Sequence, residues 1–223
     1  DESAKIDWVG GYAFSDKSDP DLRRFKTNRT IGTDNPFQTT ITPQGESGYI
    51  SRSYFKLNEH IGTLTGNYTK EFKKSVLEQI KTGIFAEYKY RNFSPRIFSV
   101  KQSIGFNTQL LSLSAENLFV DDNFNSTWGI LPIEITEKSD AYTAWNALAA
   151  GYIAAKLKLA PRLTLYGGAR LEYNSMHLNS YYKASNTPAV VDNNKVDILP
   201  SANLSYNINQ KNILRLAYGR TVN

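Results

Sequence analysis

Hydrophobic and polar residues alternate along much of this chain with a period of two, the repeat of a strand whose two faces meet different surroundings. Within LTLYGGARLEYN (163–174), Leu163, Leu165, Ala169, Leu171 and Tyr173 share one parity, while Thr164, Tyr166, Arg170, Glu172 and Asn174 share the other. The same grammar recurs in AKIDWVGGYAFS (4–15), where Ile6, Trp8, Tyr12 and Phe14 oppose Lys5, Asp7 and Ser15. It is looser over 53–69, with His60, Leu64 and Tyr68 on one side, and sharp over 77–91, where Ile80, Ile84, Ala86, Tyr88 and Tyr90 oppose Lys81, Glu87, Lys89 and Arg91. Residues 197–208 set Ile198, Ala202, Leu204, Tyr206 and Ile208 against Ser201, Asn203, Ser205 and Asn207, and residues 212–222 set Leu214, Leu216 and Tyr218 against Arg215 and Thr221. A seventh segment, 142–158, is read as a strand from its context, although its alanines also suit an amphipathic helix.

The connections between these seven strands alternate in length. Residues 16–52, 92–141 and 175–196 form long polar spans, whereas EFKKSVL, LAPR and NQK are short turns. Long structureless loops are uncommon in compact soluble domains. A transmembrane β-barrel requires this alternation, with short periplasmic turns and long extracellular loops. Strands of about 9 to 11 tilted residues cross the apolar layer, and Tyr12, Phe14, Tyr88, Tyr90, Tyr173 and Tyr218 stand where interfacial aromatic girdles are expected. Three charges on one face of a single strand, Glu87, Lys89 and Arg91, are hard to bury in an ordinary core. The expected fold is therefore all-β, an antiparallel up-and-down transmembrane β-barrel occupying residues 1–223. Seven strands are too few and odd in number for closure, and the ends DESAKIDW and LAYGRTVN read as cuts through something larger.

Composition narrows the picture further. The 14 Tyr, 11 Phe and 3 Trp favour strands, and no apolar run reaches the length of a membrane helix. The absence of Cys removes disulfides, thiolate metal sites and cysteine nucleophiles. A formal charge of +5 arises from 26 basic residues scattered among 21 acidic ones, without the clustered basic patch of a nucleic-acid-binding surface.

Candidate chemistry is sparse. His60 and His177 have no carboxylate at a metal-binding spacing, and no nucleophile elbow, P-loop or dinucleotide fingerprint occurs. Gly167 and Gly168 lie within a strand and mark a bend or a close approach of backbone. Asp121 and Asp122 read as a solvated turn, with calcium binding as the sharper alternative. Asp16, Asp19 and Asp21, around Pro20 and beside Arg23 and Arg24, read as a turn opening the first long loop. No enzyme activity, metal or cofactor is expected.

The stretches YAFSDKSDPDLRR, KLNEHIGTLTGNYT, GIFAEYKYRNFSPRIF, EITEKSDAYTAWNALAAGYI, LYGGARLEYN and ILPSANLSYNINQKNILRLAYGRTVN resemble, in order and spacing, the barrel region of TonB-dependent outer-membrane receptors, particularly those of Bacteroidetes. The resemblance implies a 22-stranded barrel in the outer membrane of a Gram-negative bacterium. It also implies an N-terminal plug outside these residues, coupling to the TonB complex through that plug, and uptake of a scarce small solute such as a siderophore, glycan or peptide. If the apolar parity meets lipid, Glu59, Glu87, Lys89, Arg91, Arg170, Glu172 and Arg215 project into the lumen, toward plug or solute. The loops offer Trp128, Tyr181 and Tyr182 for recognition, beside Phe25, Phe37, Tyr49, Phe119 and Phe124. A passive porin, a barrel adhesin and a soluble glycan-binding β-sandwich share parts of this grammar and stand as the alternatives.

Overall fold

The computed structural model describes residues 4–73 and 75–222. Seven principal strands form one antiparallel meander: β1 (Ala4–Phe25), β4 (Ile50–Glu71), β5 (Leu77–Gln102), β7 (Tyr142–Ala160), β8 (Leu163–Tyr181), β9 (Pro188–Asn207) and β10 (Ile213–Gly219), paired in that order. Two very short strands, β2 (Thr27–Asn28) and β3 (Gln38–Thr39), pair with each other in the first loop, and β6 (Ile130–Glu134) adds to the upper end of β5. β1 and β10 are the two ends of the sheet, so the barrel wall is open. The segment 142–158 is strand β7, its helical alternative overridden by ladders to β5 and β8 on its two sides.

The strands are longer than their alternating cores. β5 runs for 26 residues and β1 and β4 for 22 each, against expected spans of 77–91, 4–15 and 53–69. Likewise β8 continues to Tyr181 and β9 begins at Pro188, so that the expected loop 175–196 contracts to the turn 182–187. The reason is local: toward the strand ends the side-chain alternation fades, while the backbone ladder to the neighbouring strand continues and holds the extended conformation. Thus Tyr12, Phe14, Tyr88 and Tyr90 lie well inside their strands, on the outward face, and not at strand ends. Asp16 and Asp19 belong to β1, and Asp21 sits in a bulge between Asp19 and Leu22 with a positive φ of 71°. They do not open a loop; the bulge absorbs the Pro20 turn chemistry within the strand.

Register merges the seven patterns. Phe14 stands opposite His60, His60 opposite Tyr90, Tyr90 opposite Trp145, Trp145 opposite His177, and His177 opposite Asp192. Lower on the same face, Trp8, Gly66, Ile84, Gly151, Leu171 and Ile198 form another continuous row. Every apolar parity set therefore falls on one face. On that face Leu171 is 53% and Ile84 61% exposed, whereas the Glu172 side chain on the opposite face is only 17% exposed. A soluble core shows the reverse order. The apolar face is the convex, outer one, and the polar face is crowded on the concave side, as in a barrel wall bathed by lipid outside and lined with polar groups inside.

The only buried apolar cluster among the described residues lies above the wall, where Ile41, Ile50, Val100, Leu110, Leu118 and Ile130 pack together. It joins the loops 26–49 and 103–129 to the upper ends of β4, β5 and β6, with the short helix α1 (Ala115–Leu118), capped by Ser114, folded into it. The two long loops thus share one core and do not hang as separate chains.

Candidate functional site

The seven charged strand residues singled out by parity all project from the concave face. Six are paired. Arg91 and Glu59 stand directly opposite each other on β5 and β4, and the Arg91 Nε donates to Glu59 Oε2 at 2.7 Å. Lys89 Nζ meets Glu87 Oε1 at 2.8 Å along β5, and Arg170 Nε donates to Glu172 Oε1 at 2.5 Å along β8. The Arg170 guanidinium also lies 5.5 Å from the Phe85 ring centre across the wall. Arg215, on β10 at the sheet edge, is opposite Ser205 and stands apart from these pairs.

The concave face carries further members that a search for charge clusters passes over. Lys195 and Asp197 on β9 pair at 3.1 Å, Asp197 standing opposite Glu172. Neutral groups complete the lattice: the Tyr152 hydroxyl donates to Asn67 Oδ1 at 2.6 Å, Asn67 Nδ2 donates to Asp7 Oδ1 at 2.7 Å, and Asn146 Nδ2 donates to Asn174 Oδ1 at 2.7 Å. Asp197 carries a parity signal in VDILPS that joins the lattice once β9 is aligned with β8; the amide and phenol groups carry no such signal until the strands are aligned.

The loop candidates separate. Trp128 lies in the loop joined to the buried cluster, its backbone N–H and that of Thr127 both held by Asn125 Oδ1. Tyr181 ends β8 on the outward face, with Lys138 Nζ 5.2 Å from its ring centre, and Tyr182 opens the β8–β9 turn with 60% of its surface exposed. They do not form one site. Phe25 and Phe119 pack edge to face at 6.1 Å between ring centres, and Arg29 and Lys26 stand over Phe37 and Tyr49.

The two histidines occupy the upper rim of the outer apolar face. His60 Nδ1 shares a 2.7 Å hydrogen bond with the Tyr12 hydroxyl, and His177 is held between Asp192 at 2.5 Å and Asn179 at 2.8 Å while stacking on Trp145. Asp121 and Asp122 lie in a 3-10 turn whose Asp121 carbonyl accepts from Phe124 N–H. Among the described residues no three His, Asp or Glu side chains converge as a metal site.

An open wall with an apolar convex face, a polar concave face and strands overrunning their alternating cores on the loop side is matched over residues 3–223 by the family described as TonB dependent receptor-like, beta-barrel. The chain belongs to this family. Its members are receptors of the Gram-negative outer membrane. The receptor barrel also resembles the crystal structure of the siderophore receptor PiuA from Acinetobacter baumannii, with a TM-score of 0.52 and 12% sequence identity. The alignment covers 94% of this chain and 28% of that receptor. A search of curated proteins gives no match. The likeness to PiuA is one of fold, and the chain spans little more than a quarter of that receptor's length.

Proposed function

We propose that this chain forms wall and extracellular loops of a receptor that takes up a scarce solute across the outer membrane, driven through TonB and a plug domain. The observation that carries the reading is the merger of seven separate parity patterns into one lipid-facing band and one concave polar lattice. On the concave face, Glu59–Arg91, Glu87–Lys89, Arg170–Glu172 and Lys195–Asp197 offer alternating charges. Such half-exposed pairs contribute little to folding. They can exchange partners with a plug surface or with a passing polar solute at small cost, while Arg215 offers an additional cation near the sheet edge. Trp128 and Tyr182 add aromatic surface at the loop level, and the role throughout is binding and passage with no bond-making chemistry. Among solutes, an iron chelate is the first to test because PiuA is a siderophore receptor; glycans and peptides follow.

The test is uptake by cells carrying the full-length receptor. Accumulation of a labelled ferric siderophore, glycan or peptide is expected to require the receptor and to stop when TonB is inactivated. Accumulation that persists without TonB would identify a passive pore instead.

A further inference from the structure

The upper wall carries a second chemical feature, and most of its side chains stand on the outward face, away from the lumen. Register continues unbroken along β4 and β5 above the membrane band, so Arg52 and Tyr54 share the outward parity of His60, and Phe98 that of Tyr90. Beyond the β1 bulge, Arg23 stands opposite Arg52, and Phe25 opposite Ile50, on this same outward face. With Phe119 from the loop leaning over Phe25, these side chains enclose a cavity of about 870 Å³.

Its chemistry is an aromatic floor under guanidinium groups. Tyr54 and Phe98 meet edge to face at 5.9 Å, and the Arg52 guanidinium lies 5.7 Å from the Tyr54 ring centre. Arg23, Arg24 and Arg52 line the space against a single lining carboxylate, Glu116. One carboxylate behind them, Asp21, holds two of the three: Arg23 donates Nε and Nη2 to Oδ2 at 2.9 and 2.6 Å, and Arg52 Nε donates to Oδ1. Those two arginines hold the Asp21 carboxyl down at about 2, so it remains an anion and fixes both guanidinium groups at neutral pH. Three arginines against the two carboxylates Asp21 and Glu116 leave one uncompensated positive charge at the cavity, carried on guanidinium groups, the side chain suited to phosphate.

Position restricts the occupant. At about 3.3 Å per residue and a tilt of about 40°, Tyr54 and Arg52 stand roughly 15–20 Å above the His60 row, which marks the top of the apolar band. On the outward side of a Gram-negative outer-membrane wall, that height is occupied by the sugars of the outer-leaflet glycolipid. A solute passing through the lumen travels on the opposite face. We propose that this cavity binds a phosphorylated core saccharide of the membrane's own glycolipid, aromatic rings stacking on sugar and Arg23 and Arg52 pairing with phosphate.

The proposal rests on the outer-membrane placement of the family and not on TonB coupling, so it survives if uptake proves passive. It is tested on the full-length receptor extracted in mild detergent from cells making core-bearing glycolipid, by measuring glycolipid retained per receptor by mass spectrometry. The native receptor is expected to retain core-bearing glycolipid that lipid A lacking core sugars does not displace. Joint Arg23→Gln and Arg52→Gln substitution is expected to lower retention by roughly tenfold or more, the scale of losing charge-assisted hydrogen bonds. Phe119→Ala, which leaves the Asp21 pairs intact, is expected to weaken retention as well and decides the matter if the arginine variants fail to assemble. Unchanged retention in folded variants, displacement by lipid A alone, or occupancy by the transported solute in place of glycolipid would each overturn the proposal.

Discussion

The Tyr152 hydroxyl donates to Asn67 Oδ1 at 2.6 Å across a strand that separates them, because the residue between them is Gly83. Gly83 stands opposite both Asn67 on β4 and Tyr152 on β7. Asn67 in turn donates to Asp7 at 2.7 Å, so that one chain of hydrogen bonds passes over β5 and ties β7, β4 and β1 together on the concave face.

This geometry leaves no room for a side chain at the crossing. A Cβ on Gly83 would lie 2.6 Å from Tyr152 Cε1 and 2.7 Å from both Asn67 Oδ1 and the Gly66 carbonyl oxygen. Gly83→Val is expected to cost about 1–3 kcal/mol through displaced ring and backbone. It should lower the fraction of receptor that migrates as folded barrel in unheated gels. Gly62→Ala, whose Cβ would meet nothing within 4 Å, is the matched control and should assemble normally.

The outer band makes a depth-dependent prediction. Leu171 lies in the row of Trp8, Ile84 and Gly151, whereas Leu165 lies lower, beside Leu157 and Leu204, close to the short turns. Leu171→Arg should therefore cost about 2–4 kcal/mol, and Leu165→Arg less, because the penalty falls toward the interface. Unfolding titrations of the full-length receptor in lipid vesicles measure both. Equal and negligible costs would mean that this face does not meet hydrocarbon.

The Glu59–Arg91 pair should be more important for what it presents than for stability. Its Arg91 side chain is 46% exposed, and a double-mutant cycle is expected to give a coupling of only about 0.2–1 kcal/mol. If plug or solute reads the charge order, Arg91→Glu should impair uptake in a folded receptor, and the exchange Glu59→Arg with Arg91→Glu should not restore it. Restoration by the exchange would assign the pair a purely structural role.

Asp21 sets a pH window for the upper wall. Its carboxyl titrates at about 2 in the folded chain against an ordinary value of 3.8, because Arg23 and Arg52 hydrogen-bond its anionic form. A lowered folded value stabilises the anion, so the contribution is fully present above the ordinary value and is lost as pH falls through about 2. Protease accessibility of the region around Asp21 should stay constant from neutral pH down to about 4 and rise below it. Asp21→Asn should show the accessible state at neutral pH.

The seven principal strands, their parity and the short turns between them were readable from residue types alone. Ile84, Ala86, Tyr88 and Tyr90 alternate with polar neighbours because the two faces of the wall meet different surroundings, and that requirement acts residue by residue. Seven charged residues of the concave face could be picked out for the same reason, whereas Lys195 and Asp197 join them only once β9 is aligned with β8. Where β1 and β5 end and where β9 begins was not legible, since 16–25, 92–102 and 188–196 lie outside the alternating cores and keep their strand conformation through a neighbour's backbone.

What the sequence alone determined is one-dimensional: which side chains in each strand share a face, and that one face is too polar and the other too greasy for water on both sides. Tertiary structure alone decided which strands stand side by side, and hence that Tyr152 reaches Asn67 across 85 positions of chain, that Glu59 meets Arg91, and that Arg23 and Arg52 share Asp21. Such contacts depend on register between distant segments. Alternation specifies the parity of that register, and only the packed sheet fixes its value.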